Sequence, residues 1–388
     1  MNKSSEIFKP GALPVTTYIS REAALGFTYE ERLEQALNMS GYITLISGPS
    51  KIGKTVLCER VVGIDNLVEV LGSDFLNKEN VWKTIGAKAG MPLSGMVTTG
   101  NTDNSISEEY IVTRENVIAY YQEHELVLLI DDFHYASEEI QRFLSQQLKD
   151  AIRKGLKVII SSLPHRCDDA IRTNPDLQGR ISIIDIKPWS KDELRQIPRK
   201  GFEQLGIHVD DKYIESLVGE SLASPQLMQL LCLNLCVLIK VDSGNAVDVS
   251  EEIIKKAYKF STLNLDFKNV TAVISNGKTK RGRERKKYCT SKGELDLYSL
   301  ILEAIAQDPP IEEIGFDDLL TRINKTIVGD DKVTPKSLKE YLGNIQEVLN
   351  DKNRTFEVLE WRDNVLYVIE ALFLFYLRWG RNERGTEY

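Results

Sequence analysis

Cysteine is scarce in this 388-residue chain: five residues, an odd number, scattered and without a C-x-x-C pair. The four histidines stand far apart. No zinc-site spacing and no disulfide framework can be drawn from such a set. A reducing, cytoplasmic setting is expected. The opening Met1-Asn2-Lys3-Ser4-Ser5-Glu6 lacks the apolar core of a secretory leader. Long apolar runs are missing too. Leu227–Ile239 and Val365–Trp379 are the most apolar stretches, both shorter than a bilayer span, and the second contains Glu370. They are expected in a buried core, with no membrane contact, and Cys232 and Cys236 share one apolar helical face there. Excess positive charge is also absent. Fifty-seven acidic against 49 basic residues leave a net charge of −8, which excludes a general nucleic-acid coat but not a local basic patch.

What is present begins at Gly48-Pro49-Ser50-Lys51-Ile52-Gly53-Lys54-Thr55, a full G-x-x-x-x-G-K-[ST] phosphate loop. It follows the apolar run Tyr42–Ile46 and leads into Val56-Leu57-Cys58, the expected strand-to-helix context. Gly48 and Gly53 let the backbone turn its N–H groups toward phosphate oxygens. The helix starting near Lys54 adds its positive end. Lys54 would reach the β- and γ-phosphates, and Thr55 would place its hydroxyl on Mg²⁺. No N-K-x-D guanine-reading motif stands at a suitable strand end, so ATP is the expected nucleotide.

Leu126–Ile130 is an unbroken apolar run ending in Asp131-Asp132. Continuous apolarity fits a parallel strand buried on both faces. Carboxylates at its C-terminal end belong at the ligand edge of an open α/β sheet. Asp131 is the expected Mg²⁺ partner and Asp132 the residue that polarises the attacking water. Alternatively, either carboxylate caps the helix that begins near Ser137. An aspartate is shorter than the glutamate common at the second position, so slow hydrolysis is expected.

Alternating strands and helices predict a doubly wound parallel α/β sheet over 21–187. Residues 1–20 read as an extended arm and 91–107 as a loop. A helical lid is expected over 188–262, with Pro225 in the first turn of its helix. Residues 263–290 read as a polar bridge carrying the basic run 278–287, either a solvated loop or a polyanion contact. Three helices and a two-stranded hairpin over 291–388 suggest a winged helix.

The phosphate loop, the Ile130-Asp131-Asp132 strand end and the helix after it resemble the STAND and origin-recognition side of the AAA+ superfamily, including archaeal-type ATPases that end in a winged helix. The resemblance implies an ASCE-type P-loop core with an extra strand, Leu156–Ser161, between the loop strand and the acidic strand. It implies a γ-phosphate sensor at Ser161, Ser162 and Arg166, unless these cap a loop. It implies an arginine finger at Arg180, unless that residue forms a surface ion pair. Tyr18 and Arg21 resemble a segment lying over the adenine. Pro225 matches the proline of a Gly-x-Pro turn in the lid, with Ala223 at the glycine position.

Two functions follow as expectations. One is a slow ATPase switch that controls assembly of a homo-oligomer or engagement of a separate effector protein; stand-alone ATPases of this kind resemble components of bacterial defence or mobile-element systems. The other is an ATP-regulated DNA-binding protein using the winged helix and 278–287.

Overall fold

A computed structural model describes residues 3–92, 96–99, 106–109, 112–163, 177, 179–244, 247–278, 285–350 and 358–381. The chain divides into two compact units, 20–188 and 1–19 with 189–388.

In the first unit the apolar runs become one parallel sheet. Its strands are Ile43–Ser47 (β1), Leu67–Leu71 (β2), Val127–Asp131 (β3), Lys157–Ser162 (β4) and Ile181–Asp185 (β5), in the order β2-β3-β4-β1-β5. Every residue of β1 and β3 is buried, as continuous apolarity demands of strands covered on both faces. The edge strands β2 and β5 alternate instead between buried and more exposed positions. As expected, β4 lies between the loop strand β1 and the acidic strand β3. Helix Glu138–Arg153 buries Ile140, Leu144, Leu148 and Ile152 on one face, while Phe143 is partly buried. A buried leucine of this kind contributes roughly 1.5–3 kcal/mol. This sheet with its flanking helices is a P-loop α/β fold.

Within 91–107, expected to be a loop, Met96–Thr99 pairs antiparallel with Ile106–Glu109. A second small hairpin joins Glu22–Ala24 to Phe27–Thr28.

In the second unit the expected arm is a packed element. Ser4–Ile7 is a short helix, and Ile7 and Phe8 are buried. Ser4 Oγ donates to Asp242 Oδ2 at 2.6 Å, and Thr17 Oγ1 donates to Ile7 O at 3.0 Å. Gly201 makes room for Phe8: a Cβ there would fall 2.2 Å from the Phe8 ring. Four helices follow, Lys191–Leu205, Asp211–Glu220, Pro225–Leu238 and Glu251–Thr262. Cys232 and Cys236 are both buried in the third.

The expected polar bridge contains a helix, Lys268–Asn276, and a strand, Lys287–Thr290, paired with Gly293–Asp296. Then come helix Leu297–Ile305, strand Glu313–Gly315, helices Phe316–Thr326 and Pro335–Leu349, strands Leu359–Arg362 and Val365–Val368, and helix Ala371–Trp379. Glu313–Gly315 pairs with Val365–Val368, so the hairpin gains a third strand that the sequence reading lacks. Residues of the expected arm, lid, bridge and C-terminal block share one hydrophobic cluster within this unit, running from Phe8 through Leu231 to Phe375.

A charged clamp reinforces that unity. Arg378 grips Glu220 through Nε at 3.0 Å and Nη2 at 2.6 Å, and Trp379 Nε1 donates to the same carboxylate at 2.7 Å.

Candidate nucleotide site

The two loop glycines answer different demands. Gly53 has φ +100°, a left-handed conformation that glycine adopts without steric cost, and it starts helix Lys54–Val62. Gly48 is instead a matter of space. A Cβ there would meet Ile186 O at 3.0 Å and Ile186 Cβ at 3.2 Å. Lys51 is exposed with φ +58°, Pro49 and Ser50 are half-buried, and Ile52 is buried against the loop's own start. Val56 continues the first helical turn, half-buried.

Lys54 is only 8% exposed. Its Nζ donates to Gly48 O at 3.0 Å and Pro49 O at 2.9 Å, so the ammonium sits in the curl of its own loop. Burial pushes its pKa down, against the opposing pull of the Asp131 and Asp132 charges.

Both aspartates follow from β3. Thr55 Oγ1 donates to Asp131 Oδ2 at 2.6 Å, and Asp132 N donates to Asp131 Oδ1 at 2.9 Å. The Asp131 carboxylate is thereby fixed at both oxygens. Asp132 takes a left-handed conformation, φ 48° and ψ 46°. Burial, then the Asp131 charge, raises its pKa. Neither aspartate caps the following helix, whose N-cap is Ser137, accepting from Ile140 N. A hydroxyl and one carboxylate beside a buried ammonium are a hard-oxygen set that fits Mg²⁺, an ion that retains waters and takes phosphate oxygens. Among the described residues no group of three or more His, Cys, Asp or Glu forms a closed metal cage.

At the end of β4, Ser161 and Ser162 pair in register with Ile46 and Ser47, and Ser162 O accepts from Gly48 N at 3.3 Å. Both side chains are wholly buried, and neither hydroxyl has a hydrogen-bond partner among the described residues. Arg166 lies outside the described residues. Arg180 precedes β5, with its carbonyl accepting from Ile43 N at 2.9 Å. That is the sheet edge opposite the phosphate loop, a strand of five residues or roughly 16 Å away. Arg180 thus does not join Lys54 within its own chain.

Arg21 donates to Lys187 O at 2.8 Å and Pro188 O at 3.0 Å, and stands over the Tyr29 ring. It is 7% exposed and anchors the chain leaving β5. Tyr18 and Pro225 belong to the second unit. Tyr18 O accepts from Lys200 Nζ at 3.4 Å, and Pro225 opens helix Pro225–Leu238. Ala223 has φ +52°, so the expected glycine position does adopt a glycine-type backbone although alanine occupies it.

Three described members of the basic run are paired, while Lys287 is exposed. Lys278 meets Glu347, Arg285 meets Asp296 at 2.9 Å, and Lys286 meets Asp331 at 2.5 Å. Residues 279–284 lie outside the described residues.

Two residues of the site escape a sequence reading. Glu69 on β2 neighbours Asp131, and its pKa is raised by burial first and then by that neighbour's charge. Gly72, just past β2, lies against the Asp132 backbone. An alternating strand marks Glu69 only as an outward position, and a lone glycine only as a turn.

No protein-family model matches the sequence, and no curated protein matches it. Among solved structures, the chain is similar to a Walker-type ATPase of Pyrococcus abyssi at 14% identity and a TM-score of 0.51, over 94% of this chain and 100% of that one. Two others are the Aeropyrum pernix ORC2 protein (13% identity, TM-score 0.47, 90% of each chain) and Cdc6p of Pyrobaculum aerophilum (15%, 0.44, 96% of each). At such identity the first likeness shows the fold. No helix among the described residues is long and apolar enough to cross a membrane.

Proposed function

We propose that this chain binds ATP with Mg²⁺ at Gly48–Thr55 and hydrolyses it slowly, as a switch controlling assembly or partner engagement. One observation carries the reading: the 2.6 Å contact of Thr55 Oγ1 with Asp131 Oδ2, beside the buried Lys54 ammonium. Two motifs far apart in sequence converge on one place where a triphosphate needs both. Lys54 would exchange its two loop carbonyls for phosphate oxygens. Thr55 and Asp131 would hold the metal, which when bound neutralises charge growing on the phosphate oxygens. Asp132 would orient the attacking water and draw on its proton. The buried hydroxyls of Ser161 and Ser162, without a hydrogen-bond partner among the described residues, are suited to sensing the γ-phosphate. Any action of Arg180 would be toward the nucleotide of a neighbouring copy.

Helix, strand, two helices and two strands over 297–368 support reading that region as a winged helix. The pairing of Lys278, Arg285 and Lys286, in the segment before it, with carboxylates favours a protein-contact role over DNA binding. Steady-state phosphate release by wild type and Asp132→Asn tests the proposal. Slow, Mg²⁺-dependent turnover lost in the variant supports it; turnover that persists in the variant refutes it.

A further inference from the structure

We infer that Gly72 is a positioning residue that sets the backbone of Asp132, and so the water-orienting carboxylate, from the neighbouring strand. The inference rests on the reading of Asp132 given above. β2 pairs with β3 in register up to Leu71 opposite Asp131. Just beyond, the turn Gly72–Asp74 faces the turn Phe133–Tyr135, and Gly72 is buried. A Cβ on Gly72 would fall 2.4 Å from Asp132 O, 3.1 Å from Asp132 C and 3.1 Å from Phe133 Cα. All three are backbone atoms, so no flexible side chain can yield.

Neither side has slack. Asp74 Oδ2 accepts from Leu71 N at 3.0 Å and pairs with Lys88 at 2.8 Å, pinning the Gly72 turn. Across from it, Asp132 O accepts from Tyr135 N at 2.9 Å, and Phe133 is wholly buried. Asp132 is itself left-handed, a conformation uncommon outside glycine although aspartate tolerates it better than most residues. Gly72 thus leaves just enough room for the one backbone arrangement in which Asp132 N caps Asp131 Oδ1. Adding a methyl group forces the 132–133 peptide to move, while the Lys54 loop, held by β1, β4 and Ile186, is untouched.

The test uses the full chain and four readouts: ATP turnover, ATP affinity, thermal midpoint, and hydrogen exchange of the 131–136 segment without nucleotide. Gly72→Ala is expected to lower kcat at least about tenfold, since a displacement near 1 Å costs up to about a hundredfold. ATP affinity should stay within about twofold, and exchange at the Tyr135 amide should rise. Gly86→Ala is the control for core strain. The atoms nearest its Cβ would be side-chain atoms of Val117, Met91 and Val112 at 3.2–3.6 Å. It should move the thermal midpoint without moving kcat. Should Gly72→Ala not fold, Asp74→Ala decides: it loosens the same turn without adding an atom and should lower kcat at unchanged affinity. Unchanged kcat in either folded variant overturns the inference. A wild type that binds ATP without turnover overturns instead the functional reading on which it rests.

Discussion

Thr55 Oγ1 and Asp131 Oδ2 stand 2.6 Å apart, although β2, the 96–109 hairpin and helices Lys54–Val62, Val81–Lys88 and Arg114–Glu123 lie between the phosphate loop and the acidic strand along the chain. The contact depends on the strand order. β1 and β3 both pair in parallel with β4, which alone lies between them, so their C-terminal ends open close together onto the same edge of the sheet.

Thr55→Ala should therefore weaken ATP binding only when Mg²⁺ is present. The expected loss is about tenfold, one charge-assisted oxygen contact at about 1.4 kcal/mol. Fluorescent-nucleotide titrations with and without the metal check it. Equal losses under both conditions would count against the metal role.

Asp132→Asn should reduce kcat about a hundredfold or more while ATP affinity is kept. Because burial and Asp131 raise the Asp132 pKa, turnover in wild type should climb with pH as this carboxyl ionises, at higher pH than for an ordinary aspartate. The variant should lose that limb. A pH–rate profile shared by both proteins would remove Asp132 from the chemistry.

Much of this core is legible in the sequence. Gly48–Thr55 and Asp131-Asp132 announce themselves because each local pattern is self-sufficient: a loop that must curl, a strand end that must carry charge. Strands β1, β3 and β4 read from continuous apolarity. Glu313–Gly315 did not, since three residues are too few to show a period and the pairing partner, Val365–Val368, comes much later. Nor did the packing of the arm, where Phe8 and Gly201 explain each other only in space. Gly72 is the same case within the site. Its need for no side chain comes from Asp132 O, an atom with no trace in the local sequence.

Ala223→Gly should stabilise the protein by up to about 1 kcal/mol, because Ala223 holds φ +52° where an L side chain is strained. Urea unfolding should show a higher midpoint at an unchanged slope. A lower midpoint would mean that the turn is not under strain.

Glu312 should make stability depend on pH. Burial first, then the charges of Glu313 and Glu370, raise its pKa from 4.5 to about 7. Between those values the folded chain holds a proton that the unfolded chain releases. Its contribution is therefore complete below pH 4.5 and disappears as pH rises through 7. Glu312→Gln should flatten this part of the profile and gain stability relative to wild type at pH 8. Denaturant midpoints at pH 5 and pH 8 give the comparison; parallel shifts in both proteins would contradict it.

The most direct measurement is a calorimetric titration of ATP with Mg²⁺ into wild type and Lys54→Ala. One saturable site per chain, lost in Lys54→Ala, is the predicted result. Equal binding by the two proteins, or none by wild type, would contradict the central claim that Lys54 and the acid pair meet on one triphosphate.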